Sequence, residues 1–212
     1  MNELKINKPF GPSVGYHKLS PELIADFNKD CDEIVANKKK SKAQDFSKDL
    51  VGNVKQELSI SPHVFKKWTP YFTNLMAAYV DAHPVSSKAV TSKTMNFPSA
   101  WYVRSYAGDF NPLHFHTNCH LSSVGYLSLP KGMKNEWKQE TIEDHYPTAG
   151  AIEMKYGETH LFSTSTIKLR PKIGDFYIFP WYMYHQVYPF RCKGERRSFS
   201  INVIADHEEA KL

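Results

Sequence analysis

The part of the sequence that most constrains the fold runs from about residue 95 to the C-terminus. In it, short runs rich in aromatic and β-branched residues alternate with turn-forming residues, a pattern typical of β-strands. Eight strands are predicted: Ala100–Ala107, Leu113–Thr117, Leu121–Leu129, Ile152–Tyr156, Ser163–Leu169, Asp175–Phe179, His185–Tyr188 and Ser198–Ile204. Eight short strands are the number of a double-sheet jelly roll, the double-stranded β-helix that also forms cupin-like barrels.

Before these strands, two segments have the apolar spacing of amphipathic helices. The first begins at Ser20, a good N-cap followed by a proline suited to the first helical turn, and extends to Val35. The second begins at Ser61 and extends to Tyr79, with Pro70 inside it, where a kink or break is expected. The fold class is therefore predicted as mainly β, a jelly roll packed on supporting α-helices.

A chain of 212 residues is long enough to form one domain with its own hydrophobic core. We expect a single domain over residues 1–212, in which residues 1–95 form an N-terminal helical support region. Residues 96–206 are expected to form the β-helix core. Within that core, residues 131–148 are polar and are predicted to be a surface insertion near the mouth of the barrel.

Composition disfavours several classes of protein. The three cysteines form no CxxC pair, so neither a disulfide framework nor a zinc knuckle is expected, and a reducing cytoplasm is predicted. The first residues lack the apolar run of a signal peptide, and no stretch has the roughly 18 apolar residues of a membrane span. The net charge of +5 is mild, and its main cluster, 38–42, is not interleaved with aromatic residues, which disfavours nucleic-acid binding.

The histidines suggest a metal site. His114 and His116 are two residues apart on a predicted strand, so their side chains point to one face and can reach the same ion. His185 follows a turn, an apolar strand and a tight bend, and it opens the next strand. Three nitrogen ligands leave positions free for substrate or oxygen, as in non-haem iron oxygenases, which usually have one carboxylate ligand. His120 is expected to be structural or to contact one of the residues that bind the metal.

The last predicted strand has a polar face and an apolar face. With a period of two, Arg196, Ser198, Ser200 and Asn202 share one face, and the other face is mostly apolar. The polar face either meets water or lines the interior of the barrel. In the second case Arg196 is a buried cation that needs a partner, and a ligand carboxylate would supply one.

These residues together resemble the iron(II)- and 2-oxoglutarate-dependent oxygenases, above all the prolyl-hydroxylase-like group and its small phage-encoded members. The family pattern is His-x-Asp/Glu, a distal histidine, and Arg-x-Ser/Thr about ten residues later. Here the pattern reads His114-Phe115-His116, then His185, then Arg196-Arg197-Ser198, eleven residues after His185. The resemblance covers about residues 98 to 205, with a weaker match to the helical region before it.

The resemblance implies the cofactors and their binding residues. It implies Fe(II), 2-oxoglutarate as cosubstrate and O2, with Arg196 and Ser198 binding the distal carboxylate of 2-oxoglutarate. It further implies that Tyr126 assists them and that Tyr106, before a glycine-containing turn, lines the same pocket in some members. The implied reaction is hydroxylation of an unactivated carbon, on a small molecule or a protein side chain. A phage-encoded member would act in the host cytoplasm.

One position departs from the family pattern, because His116 stands where the carboxylate ligand is expected. Three arrangements follow from this departure. In the first, three histidines hold the metal. In the second, His116 is not a ligand and water or halide takes its place. In the third, Asp109 moves to act as the carboxylate ligand. Three neutral ligands leave the ion with a higher net charge, which alters iron affinity and oxygen activation.

Two other functions remain open from the sequence. A cupin would use the same barrel and histidines as a three-histidine dioxygenase, an isomerase or a binding barrel, without needing Arg196. However, His120 occupies the place of the glutamate in the first cupin motif, and Tyr182 that of the glycine in the second. A non-catalytic barrel could keep the histidines for structure. The sequence indicates neither the substrate nor the oligomeric state.

Overall fold

The computed structural model describes residues 5–7, 11–82, 95–138, 148–161 and 164–205. Three α-helices are present in these ranges: α1 (Pro21–Ala36), α2 (Lys38–Ala43) and α3 (Pro62–Asp81), besides short 3-10 turns at Ser47–Asp49 and Asn135–Trp137. The strands are β1 (Lys5–Asn7), β2 (Val14–Lys18), β3 (Gln56–Ser59), β4 (Met95–Ser105), β5 (Asn111–His114), β6 (Leu121–Ser128), β7 (Ile152–Lys155), β8 (Thr166–Leu169), β9 (Asp175–Pro180), β10 (Tyr184–Val187) and β11 (Arg196–Ala205).

The strands form two antiparallel sheets. The larger sheet has seven strands in the order β1-β2-β9-β6-β11-β4-β3, and the smaller has four in the order β5-β10-β7-β8. Many neighbouring strands, such as β6 and β11 or β5 and β10, are not consecutive along the chain, as jelly-roll connections require. The prediction of a mainly β protein with a double-stranded β-helix and supporting helices is confirmed.

Residues before position 95 contribute strands as well as helices, which the sequence did not lead us to expect. β2 pairs with β9, and β3 pairs with β4 at the far edge of the larger sheet. These strands are short, and their apolar residues do not alternate over enough positions to be distinguished from loops. The second helix also differs from expectation, because α3 continues through Pro70 without a break.

The predicted insertion at residues 131–148 is described only in part, since residues 139–147 lie outside the described residues. Its beginning forms the 3-10 turn at Asn135–Trp137, and the indole nitrogen of Trp137 donates a hydrogen bond to the carbonyl of Ala149 at 2.8 Å. The predicted strand Ser163–Leu169 begins later in the structure, at Thr166, and Ser163 itself is outside the described residues.

β11 separates two hydrophobic layers. On one face Phe199 is fully buried and packs edge-on against Phe27 of α1 and Phe72 of α3, with ring centroids 4.9 and 5.9 Å away. A second buried cluster, with Tyr126 and Phe179 among its members, lies between the two sheets. The helices therefore cover the outer face of the larger sheet, and the polar face of β11 is directed into the interior of the barrel.

Gly125 of β6 allows the Phe199 ring to lie directly on the strand. A Cβ atom at this position would be 2.5 Å from Phe199 Cζ and 3.0 Å from Phe176 Cδ2. We expect Gly125→Ala to lower the free energy of unfolding by ~1–3 kcal/mol, because both rings are buried and cannot move aside. Urea unfolding measures this change, and Phe199→Leu in the same chain should recover part of the loss. An unchanged unfolding midpoint in the single variant would contradict this packing.

Candidate metal centre

Three histidine side chains converge at one end of the barrel. His114 ends β5 and is directly opposite His185 of β10 in the antiparallel register. His116 lies beyond the end of β5, and its Nε2 is 3.2 Å from His185 Nε2. One ligand nitrogen from each of the three residues can be chosen so that all lie within 4.8 Å of one another. The spacing allows one ion to contact all three nitrogens.

His114 and His116 are not on one regular strand, in contrast to the sequence-based expectation. The predicted strand Leu113–Thr117 ends at His114 in the structure. The backbone N–H of His116 then donates to the carbonyl of Trp181 at 3.0 Å, and Asn118 turns the chain with a φ of 57°. His116 is therefore held by the bend after β9, and the two histidines still point to one site.

Hydrogen bonds fix the orientation of two of the three rings. His114 Nδ1 is 2.7 Å from the carbonyl of Pro112, and His185 Nδ1 is 2.9 Å from that of Met183. Carbonyl oxygens only accept, so each Nδ1 carries the proton and each Nε2 has a free lone pair. Metal-binding histidines in proteins are commonly held in this way.

Burial keeps the three imidazoles neutral. Burial makes the largest contribution to the lowered pKa of each ring. In His116 and His185, nearby histidines lower the pKa further. The pKa of His116 falls to about 4, and that of His185 lies well below its usual value. Neutral imidazole is the form that binds metal ions, so the cluster does not have to lose protons near neutral pH.

Asp109 does not complete the site. Its Oδ2 accepts hydrogen bonds from the backbone N–H groups of Lys55 and Tyr106, at 2.8 and 2.9 Å, so it closes a turn after β4. Among the described residues, the group suited to metal binding consists of the three histidines alone. A centre of three neutral ligands is therefore the arrangement that this geometry supports.

A cavity of about 300 Å³ opens beside the histidines. The polar face of β11 lines it with Arg196, Ser198, Ser200 and Asn202, as the period of two predicted for an interior face. In the register of the sheet, Ser198 is directly opposite Tyr126 of β6, which also lines the cavity. The structure thus brings three of the four predicted cosubstrate residues to the cavity that contains the histidines.

Arg196 is a buried cation without an anionic partner among the described residues. The residue is 1% exposed, and its two terminal nitrogens donate to the carbonyl of Gly150 and the hydroxyl of Ser105, both at 3.1 Å. Its Nε has no hydrogen-bond partner in the described part of the chain. Burial lowers the pKa of this guanidinium. A buried charge held only by neutral groups is costly, so the site favours an anion beside it.

Tyr126 presents a second donor that lacks an acceptor. Its hydroxyl is buried and has no hydrogen-bond partner among the described residues. Burial raises its pKa to about 12, although nearby Arg196 acts in the opposite direction. A neutral phenol and a guanidinium in one cavity together suit the oxygens of a carboxylate.

Tyr106 and His120 do not reach the cavity. The Tyr106 hydroxyl donates to Glu195 Oε2 at 3.0 Å and accepts from Arg104 at 2.7 Å, in an ion-pair network after the end of β4. Tyr106 does not line the cavity, so the structure does not bring it together with Arg196, Ser198 and Tyr126. His120 Nδ1 contacts the backbone of Ala205, so this residue joins β6 to the end of β11.

Trp101 and Glu57 are among the cavity residues that were not recognised in the sequence. Trp101 of β4 lines the cavity and lies against His116, with ring centroids 6.0 Å apart. Glu57 of β3 also lines it. The alternation of β4 could have placed Trp101 on the interior face, whereas nothing in the sequence marked β3 as a strand.

Comparison with known proteins agrees with this architecture. A family model described as "Putative 2OG-Fe(II) oxygenase" matches residues 99–202. No curated protein is significantly similar to the chain. No helix in the described ranges is long and apolar enough to cross a membrane.

Solved structures share the fold at low sequence identity. A Pseudomonas putida prolyl-4-hydroxylase aligns with a TM-score of 0.61 at 15% identity, over 91% of this chain and 92% of its own. AviO1 from Streptomyces viridochromogenes aligns with a TM-score of 0.58 at 13% identity, over 94% and 92%. A Trichoplax adhaerens prolyl hydroxylase, solved with a hypoxia inducible factor peptide fragment, has a TM-score of 0.55 at 8% identity, over 91% and 83%.

The fold and the cluster define a metal-dependent protein of the double-stranded β-helix class. Residues 99–202 match the 2OG-Fe(II) oxygenase family, and this match identifies the protein as a 2-oxoglutarate-dependent oxygenase. Its cofactors are therefore Fe(II), 2-oxoglutarate and O2, and its histidine cluster is suited to the iron.

Proposed function

We propose that this enzyme hydroxylates an unactivated carbon, with iron bound by His114, His116 and His185. Arg196, Ser198 and Tyr126 would bind the distal carboxylate of 2-oxoglutarate. The observation that carries this proposal is Arg196, a buried cation with no ion pair to any described residue, in the same cavity as three convergent imidazoles. A dicarboxylate that contacts the metal at one end and the arginine at the other would complete both groups.

Arg196, Tyr126 and Ser198 would contribute differently to binding of the distal carboxylate of 2-oxoglutarate. Arg196 supplies charge to the carboxylate, and its bonds to Gly150 and Ser105 hold the guanidinium in place. The Tyr126 hydroxyl, which has no described acceptor, and the hydroxyl of Ser198 opposite it would each donate to a carboxylate oxygen. These donors are fixed by the sheet, so little conformational entropy is lost on binding.

The iron centre would supply the oxidising power, using O2 and the decarboxylation of 2-oxoglutarate to succinate. The protein's part is to orient the reactants and to limit access of water. Trp101, Ile152 and Phe179 line the cavity with apolar surface. The substrate would be a small molecule or a protein side chain, as with the peptide bound by the Trichoplax adhaerens enzyme.

A cupin-type protein that does not use 2-oxoglutarate is the alternative, but it would leave Arg196 buried without a role. We also propose a cytoplasmic location. The free state of all three cysteines, two of them buried, is compatible with a reducing compartment.

Aerobic turnover of 2-oxoglutarate tests the proposed function. The protein with Fe(II), 2-oxoglutarate, O2 and ascorbate should release succinate. Arg196→Met should reduce succinate release to the level without protein. Equal release by both proteins, or none from the wild type when iron and 2-oxoglutarate are bound, would count against it.

Tyr126→Phe should separate cosubstrate binding from stability. We expect the dissociation constant for 2-oxoglutarate to rise about 5- to 10-fold, as for loss of one hydrogen bond of ~1 kcal/mol. The free energy of unfolding without ligand should not fall, because the hydroxyl has no described partner to lose. Calorimetric titration and urea unfolding measure the two quantities. Unchanged affinity, or a large loss of stability, would disprove the assigned role.

A further inference from the structure

A second unpaired charge lies in the cavity, at Glu57. This residue is on β3, at the edge of the larger sheet, where it is opposite Val103 of β4. Both residues line the cavity, so the carboxyl group is on the interior face. Glu57 is 2% exposed. No hydrogen bond or ion pair is described between its carboxyl and another residue in the described part of the chain. Its backbone carbonyl accepts from the N–H of Phe46 at 3.0 Å, which holds the strand in place.

The residues around this carboxyl include a glycine in close contact with it and two aromatic rings of the cavity lining. Gly52 lies against it, and a Cβ atom there would be 3.2 Å from Glu57 Oε1 and 2.7 Å from Asn111 Nδ2. Phe46 and Trp101, whose ring centroids are 5.4 Å apart, form an aromatic part of the same lining. A carboxylate beside aromatic rings is a combination that binds organic cations, through ion pairing and cation–π contact.

The charges around Glu57 also favour a cation. Burial raises its pKa to about 7, and Asp45 nearby adds to this effect. Among the described residues that line the cavity, Glu57 is the acidic one and Arg196 the basic one. Arg196 is assigned to 2-oxoglutarate, and no lining lysine is described that could neutralise Glu57. A substrate cation would supply the missing partner and offset the free energy of desolvation of the buried carboxylate.

We propose that Glu57 recognises a positively charged nitrogen of the substrate, a primary ammonium or a guanidinium, and so selects substrates with a lysine-like or arginine-like side chain. This proposal rests on the proposed function for its link to catalysis, but the binding itself does not depend on iron. The cavity of about 300 Å³ is at the lower end of ligand sites in proteins, and 2-oxoglutarate would occupy part of it, which favours a narrow, extended side chain in the remainder.

Calorimetric titration with matched probes tests the proposal. The probes are Nα-acetyl-lysine amide against Nα-acetyl-norleucine amide, and Nα-acetyl-arginine amide against Nα-acetyl-citrulline amide. Each is titrated at pH 8 into the full chain, first as the metal-free protein and then after anaerobic addition of Fe(II) and 2-oxoglutarate. Free lysine and free arginine form a further arm, which distinguishes a small-molecule amine from a peptide side chain as the natural source.

In the wild type, at least one cationic probe should bind tenfold or more tightly than its neutral partner. Glu57→Gln keeps the shape of the side chain and should abolish that preference, whereas Asp45→Asn, a change at the exposed neighbouring carboxylate, should largely retain it. Bound 2-oxoglutarate should be unaffected by Glu57→Gln, which shows that the rest of the cavity is intact.

Equal affinity for cationic and neutral probes in the wild type would overturn the proposal, even if the variant failed to fold. So would a preference that survives in a folded Glu57→Gln protein. If iron and 2-oxoglutarate fail to bind while the metal-free protein still prefers cations, the proposed function fails and this inference stands.

Discussion

Arg196→Met is expected to weaken 2-oxoglutarate binding at least ~100-fold, a loss of ~2.8 kcal/mol. The reason is that hydrogen bonds to a charged group contribute ~1.5–3 kcal/mol each, and the guanidinium can donate more than one. The fold should remain intact, because methionine fills a similar volume and removes a buried charge that has no described anionic partner. The free energy of unfolding without ligand should therefore stay within ~1 kcal/mol of the wild type.

Arg197→Met is the matched control on the neighbouring residue of β11. Arg197 points to the other face, where it pairs with Asp32 of α1 and with Glu195, both at 2.8 Å. This variant should lose stability but bind 2-oxoglutarate as the wild type does. Anaerobic calorimetric titration of both variants gives the comparison. Unchanged affinity in Arg196→Met would disprove the assignment of the cosubstrate site.

His185→Ala is expected to lower Fe(II) affinity by a factor of ~100 or more and to abolish turnover. Even loss of a group that only orients a metal ligand costs about 10- to 100-fold in affinity, and removal of a ligand exceeds this. His185 is 5% exposed and lies between the other two imidazoles and Phe179, so no other described side chain can take its place. Metal content after dialysis and anaerobic Fe(II) titration measure the effect.

Two further substitutions make this test specific. His120→Ala removes a histidine that contacts the backbone of Ala205, and the protein should retain its iron. His116→Asp restores the carboxylate that the family pattern has at this position and should also retain iron. Retention of full iron affinity by His185→Ala, or loss of iron in His120→Ala alone, would contradict the three-histidine centre.

The parts of the fold that follow regular periodicity could be predicted from the sequence. β11 alternates over ten residues, so the split between its cavity face and its helix face, with Arg196 on the cavity side and Phe199 on the helix side, followed from a period of two. The start of α1 was equally clear, because Ser20 accepts a hydrogen bond from the N–H of Leu23 as an N-cap should.

The parts that depend on irregular backbone or on distant contacts could not be predicted. His116 reaches the cluster through a bend that bonds to Trp181, a contact across 65 positions that no local pattern reveals. Tyr106 has the local context of a pocket residue, but its hydroxyl is bonded to the ion pair between Arg104 and Glu195. Glu57 lies on a four-residue edge strand whose pairing with β4 is set by the sheet.

The most direct test of the central claim is an anaerobic titration of the wild type with Fe(II) followed by 2-oxoglutarate, observed by visible absorption. If the cosubstrate chelates iron at the three histidines, a weak metal-to-ligand charge-transfer band should appear and saturate at one equivalent. In Arg196→Met the band should require far more 2-oxoglutarate. If Fe(II) binds but 2-oxoglutarate produces no band at any concentration, the three-histidine centre with an arginine-anchored cosubstrate is contradicted.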